Sequence, residues 1–93
     1  MSLKFRWNTH KAERNAKKHR VTFEEAATVF RDPLALIFDD EDHSEQEHRE
    51  LLIGHSRHNR LLIVSFTERD GVIRIISARK ANRQERKDYE NAR

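Results

Sequence analysis

The chain has 93 residues, of which 38% are charged and 35% apolar, with a formal net charge of +3 and no cysteine. That length supports one hydrophobic core and hence a single domain over residues 1–93, since two cores would each be too small to offset the conformational entropy lost on folding. The missing cysteines exclude disulfides, thiolate metal sites and thiol catalysis. No apolar run reaches the length of a signal peptide or a membrane span, so the cytoplasm is the expected compartment and no membrane partner is expected.

Residues Lys4 to Trp7 read as a short edge strand whose aromatics, Phe5 and Trp7, face a core. Asn8 then caps a helix from Thr9 to about His19. Only Ala12, Ala16 and His19 give that helix an inner stripe, and the rest of its surface is mostly basic. A second helix opens at Thr22, where Glu25 stands in the capping-box position. Its Phe23, Ala26, Ala27 and Phe30 recur at core-facing spacing, and it ends before Pro33.

Leu34 to Phe38 reads as a strand and the acidic segment after it, through about Glu47, as a solvated loop. Three further strands are predicted at Arg49 to Ser56, Leu61 to Thr67 and Val72 to Ala78. Asp70-Gly71 between the last two is a hairpin signal, because both residues tolerate positive φ. Short links force antiparallel pairing, so residues 49 to 78 are expected to form a meander. Asn82 caps a last helix with Glu85 in the capping-box position and Tyr89 one turn on. The expected fold is α+β: two N-terminal helices, an antiparallel meander of about four strands and a C-terminal helix, with the helices on one side of the sheet.

Charge is unevenly spread. Lys4, Arg6, Lys11, Arg14, Lys17, Lys18 and Arg20 crowd one end, and Arg79, Lys80, Arg83, Arg86 and Lys87 the other, while Asp39, Asp40, Glu41, Asp42, Glu45 and Glu47 form an acidic block. If the ends meet, they make a positive surface suited to a polyanion. His10, His19, His43, His48, His55 and His58 invite a metal reading, but none forms the helical pair with an intervening glutamate that marks a zinc protease. No metal site and no cofactor is expected, and no serine sits in a Gly-bounded elbow.

Lys18-His19 closes a basic helix. It either favours the helix dipole, or supplies a phosphate-binding cation and a proton-transfer group. Arg74 lies in an otherwise apolar strand, with Ile76 expected on its side and Ser77 on the other. It either pairs with Glu50 or Glu68 on a neighbouring strand, or converges with Arg79 on a phosphate, whose oxygens fit the guanidinium fork. Tyr89 either closes the core or stacks on a base and reaches a phosphate with its hydroxyl.

Read together, these residues resemble the BrnT toxin family. The matching pieces are Phe5-x-Trp7 with Lys11, Asn15 and Lys18-His19; Val21-x-Phe23-Glu24-Glu25-Ala26 with Val29-Phe30-x-Asp32; Glu47-x-Arg49 leading to Ile53-Gly54; Thr67-Glu68-Arg69; and Arg74 to Arg79 with Ala81, Glu85-Arg86 and Tyr89. They span essentially the whole chain in order. Two positions depart: Asn8 stands where the family usually has Asp, which preserves a cap, and Arg20 where it usually has Gly, which removes the easy left-handed end of the first helix. The resemblance implies a RelE-like fold, a ribonuclease toxin, and a BrnA-type ribbon-helix-helix antitoxin through which DNA is bound.

The expected reaction is metal-independent RNA cleavage, in which the ribose 2′-hydroxyl attacks the adjacent phosphorus and the 5′-oxygen leaves. It needs cations at the equatorial oxygens and groups that move protons. Arg74 and Arg79 are assigned to the phosphate, His19 to proton transfer, and Tyr89 to stacking or hydrogen bonding. Lys18, Lys11, Lys80, Arg83 and Arg86 are assigned to RNA binding. The competing readings are a module that binds RNA without cutting it, and a plain interaction protein whose charged face serves its antitoxin.

Overall fold

The computed structural model describes residues 3–43 and 47–92, so Glu45 of the acidic block lies outside the described residues. Strand β1 (Lys4–Arg6) leads into helix α1 (Thr9–His19), and helix α2 (Phe23–Thr28) runs on as a 3-10 turn over Val29–Arg31. Strands β2 (Leu36–Asp39), β3 (Glu50–His55), β4 (Leu61–Arg69) and β5 (Val72–Lys80) precede helix α3 (Arg83–Asn91). They form one five-stranded sheet in the order β1-β5-β4-β3-β2. The fold is α+β, as expected, and among the described residues no helix is long and apolar enough to cross a membrane.

The local signals act where they were read. Asn8, Thr22 and Asn82 each accept a bond from the backbone N–H three residues on, satisfying a donor that has no intrahelical partner. Asp70 and Gly71, both at positive φ, close the β4–β5 hairpin. The capping box at Asn82 is complete, but only half of the one at Thr22 forms, because the Glu25 carboxylate turns to Arg60 and Ser56 instead.

Three expectations are corrected. The sheet is mixed rather than all antiparallel, since β1 joins its far edge parallel to β5, with Lys4 to Arg6 beside Val72 to Arg74. The helices do not share one side. Helices α1 and α2 cover one face, where Val21, Phe23, Ala26 and Val29 pack on Leu52, Val64, Phe66 and Ile75. On the other face Tyr89 of α3 packs on Ile53, Leu61 and Ile63. A sheet with apolar residues on both faces must bury both.

Third, the pairing of β4 with β5 slips between Ser65 and Phe66: Ser65 faces Ser77 and Phe66 faces Ile75, leaving Ile76 unpaired. Such a bulge reverses the alternation beyond it. Arg74, Ser77 and Arg79 consequently share the α3 face, opposite Thr67, Ser65 and Ile63, and Ile76 lies against α1.

The end of α1 carries a measurable penalty. Arg20 adopts the left-handed conformation with φ 59° and ψ 32°, and its N–H still closes the helix on the Ala16 carbonyl. A side chain costs about 1 kcal/mol or more there and glycine costs nothing sterically. Arg20→Gly should therefore raise the thermal midpoint by about 4–8 °C for each kcal/mol gained, read by circular dichroism. A fall would mean that the Arg20 side chain does structural work of its own.

Candidate nucleic-acid site

Arg74 and its neighbours line a polar groove. The groove, of about 310 Å³, is lined by Arg6, Glu47, Thr67, Arg69, Asp70, Val72 and Arg74. It forms because β1 ends beside the start of β5 and the β4–β5 hairpin turns there, bringing arginines from three strands to one place. One terminal nitrogen of Arg74 donates to both carboxylate oxygens of Glu47, each at 2.8 Å, and Arg49 Nε donates to the same carboxylate at 3.3 Å. Thr67 Oγ1 donates to the carbonyl of His48 at 2.9 Å, tying the chain next to Glu47 onto β4. Arg74 thus has an ion pair, but with Glu47 rather than Glu50 or Glu68.

A second groove of about 250 Å³ runs along α1, lined by Lys11, Arg14, Asn15, Lys18, His19 and Ile76. Lys11, Lys18 and His19 stand side by side there, and among the described residues the groove's lining carries no carboxylate. Asn15 sets its floor. Its amide donates to the carbonyls of Val21 at 2.9 Å and Ala78 at 2.8 Å, and its oxygen accepts from Ala78 N–H at 3.0 Å.

Arg79 does not join Arg74 in the first groove. Its guanidinium makes a two-pronged bond to Glu85, at 2.7 and 2.8 Å, and Glu85 Oε1 also accepts the N–H of the helix cap Asn82 at 2.8 Å. That bond to Arg79 holds the Glu85 carboxyl below the usual carboxylate range, against burial, and raises Arg79. Arg79 therefore fastens β5 to the start of α3. With Lys18 standing on the α1 side, the three cations do not gather on one phosphodiester. Lys80, Arg83 and Arg86 are exposed around the start of α3.

Tyr89 is 4% exposed and belongs to the second core, which leaves no ring face for a base. Its hydroxyl donates to Asp32 Oδ2 at 3.1 Å, and its ring meets His55 edge-on at 5.3 Å. Burial alone would raise the Asp32 pKa. The backbone N–H groups of His55 and Leu34, with the Tyr89 hydroxyl, more than compensate and hold it low. Gly54 makes this close approach possible: a Cβ there would stand 2.9 Å from Ala35 Cβ and 3.0 Å from Asp32 Oδ2.

Among the described residues, the ligand-type atoms of Asp39, His48 and Glu50 lie within 4.8 Å of one another on the exposed end of the β2–β3 pair. Glu47 is what sequence reasoning missed. It was read as the end of a solvated loop, although it stands in the Glu47-x-Arg49 piece of the resemblance, and only its distance from Arg74 in sequence hid the pairing.

A model of the family described as "Ribonuclease toxin, BrnT, of type II toxin-antitoxin system" matches residues 7–85. The crystal structure of the Brucella abortus ribonuclease toxin BrnT is similar in fold, with a TM-score of 0.67 and 21% identity over 88% of this chain and 100% of that one. A search of curated proteins finds no match. A family match over most of the chain, on a fold shared over 88% of it, assigns it: the chain belongs to the BrnT family of ribonuclease toxins of type II toxin-antitoxin systems, whose members act on RNA and are paired with an antitoxin.

Proposed function

We propose that this chain is itself an endoribonuclease that cuts RNA in the cytoplasm without a metal ion, by attack of the ribose 2′-hydroxyl on the adjacent phosphorus, and so blocks translation and growth. A ribbon-helix-helix antitoxin of the BrnA type silences it, and DNA is bound through that antitoxin. The observation that supports this most is the groove in which Arg6, Arg69 and Arg74 meet. Guanidinium groups aimed at a phosphate's equatorial oxygens supply the electrostatic stabilisation that phosphoryl transfer chiefly needs. Arg74 spends one nitrogen on Glu47, so the rest of its fork is open to phosphate oxygens. Lys11 and Lys18 along α1, with the exposed Lys80, Arg83 and Arg86, grip the flanking backbone by charge.

The test is an RNA oligonucleotide assayed with EDTA beside its 2′-deoxy counterpart. The RNA is cut at an unchanged rate in EDTA, and the deoxy strand is bound but left whole. Arg74→Ala slows cutting by about a hundredfold or more. Loss of activity in EDTA would instead direct attention to Asp39, His48 and Glu50, and would overturn the metal-free reading. Binding without cutting of either strand would make the chain a plain RNA-binding module.

A further inference from the structure

Glu47 sits in the Arg74 groove with its carboxylate bonded to the Arg74 guanidinium. With 24% of its side chain exposed, it is neither fully solvated nor buried like a core ion pair. Arg49, two residues on in the segment before β3, and Arg74 of β5 hold it from two sides, and Thr67 pins the neighbouring backbone. A partly exposed pair of this kind contributes little to stability, too little to account for so many cations around one acid. Arg6, Arg49, Arg69 and Arg74 also outnumber Glu47 and Asp70, so the groove stays positive after the ion pair is made.

We propose that Glu47 is the general base of the cleavage reaction, its carboxylate held by Arg49 and Arg74 at the mouth of a phosphate site formed by Arg6, Arg69 and Arg74. The proposal rests on the ribonuclease reading and names the group that reading lacks. In an attacking ribose the 2′-oxygen lies about 3–3.5 Å from phosphorus. A base and a cation already in hydrogen-bond contact at 2.8 Å are therefore spaced to serve the hydroxyl and a phosphate oxygen together. The 2′-hydroxyl proton passes to the Glu47 carboxylate as the bond from the 2′-oxygen to phosphorus forms. The bond from phosphorus to the 5′-oxygen breaks, and that oxygen takes a proton from water. The products are a 2′,3′-cyclic phosphate and a 5′-hydroxyl, and Glu47 returns its proton to solvent.

The experiment is single-turnover cleavage of an RNA oligonucleotide by the parent, Glu47→Gln and Glu47→Ala, with affinity measured separately on the 2′-deoxy strand. Removing the base lowers the rate about 10²–10⁴-fold, while affinity for the deoxy strand stays the same or tightens, because a negative charge has left the groove. Added formate, a small diffusible base, partly restores Glu47→Ala in proportion to its concentration, and the product keeps its cyclic end. A Glu47 that only held Arg74 in place would give no formate rescue. If the parent cuts RNA and Glu47→Gln cuts nearly as fast, the base assignment falls and the ribonuclease stands. If the parent cuts nothing, the reading beneath it falls first. Should Glu47→Gln melt below the assay temperature, Glu47→Ala assayed cold with formate decides, and a flat response to formate overturns the proposal.

Discussion

Glu25→Ala is expected to destabilise the protein by about 3 kcal/mol, which in a domain of this size lowers the thermal midpoint by roughly 12–24 °C. Glu25 is 4% exposed, on the inward side of α2. Its carboxylate takes a bond from Ser56 Oγ at 2.6 Å and from Arg60 Nε at 2.9 Å, and the Arg60 terminal nitrogen bonds its other oxygen. The same guanidinium reaches the Arg20 carbonyl at 3.0 Å. One buried acid therefore ties α2 to the β3–β4 turn and to the end of α1. Cutting it away strands a guanidinium and a buried hydroxyl, the costly way to break such a pair. Replacing both partners, as in Glu25→Leu with Arg60→Met, should recover much of the loss. A double variant as unstable as the single one would mean that the pair holds more than itself together.

The same group sets a pH dependence whose sign follows from its shift. The Arg60 hydrogen bond, helped by Ser56 and opposed by burial, holds Glu25 below its ordinary pKa, and Asp32 and Glu85 are lowered too. A carboxylate lowered by folding contributes stability that is fully present above its unfolded pKa of about 4 and lost as pH falls through its folded value. Thermal midpoints should therefore hold from neutrality to about pH 5 and fall below about pH 4. The drop should be smaller in Glu25→Gln, which starts lower. An equal drop would assign the acid sensitivity to Asp32 and Glu85.

What could be read beforehand was what short stretches decide. The caps at Asn8, Thr22 and Asn82, the Asp70-Gly71 turn and the α2 core face depend on residues within a turn or two, and the fold has them. Illegible were the features in which distant segments choose each other. The parallel seat of β1 on β5 and the docking of α3 on the second face depend on which surfaces remain to be covered. The slip at Ile76 moved Ser77 to the face of Arg74, which strict alternation forbids. The site divides the same way. Arg74 was conspicuous as a charge in an apolar strand, and Lys18-His19 as the end of a basic helix. The carboxylates that occupy Arg74 and Arg79 were not visible as partners, because ion pairing leaves no periodic mark in the sequence.

Asn15→Ala is expected to cost about as much as the loss of Glu25, although alanine is the better helix former. Among the described residues β1 pairs with Val72 to Arg74, and beyond them no strand flanks β5 on that side. Both backbone groups of Ala78 point out of that edge, and the Asn15 side chain meets them as a neighbouring strand would, while holding the Val21 carbonyl as well. Asn15 is 7% exposed and its bonds are all buried, so alanine leaves an N–H and two carbonyls without partners. Each stranded group costs about 1–3 kcal/mol, and the gain in helix propensity returns roughly half a kcal/mol, for a net loss of about 3 kcal/mol. Asn15→Asp should be worse at neutral pH: it keeps the acceptor for Ala78 N–H but sets a carboxylate against two carbonyl oxygens. Hydrogen exchange gives the local reading, with the Ala78 amide losing protection first and α1 loosening from the sheet. The groove of Lys11, Lys18 and His19 loses its floor with it, so affinity for the 2′-deoxy strand should weaken in step with the melt. A variant that keeps its midpoint within a few degrees and its Ala78 protection intact would show that water closes this edge as well as Asn15 does.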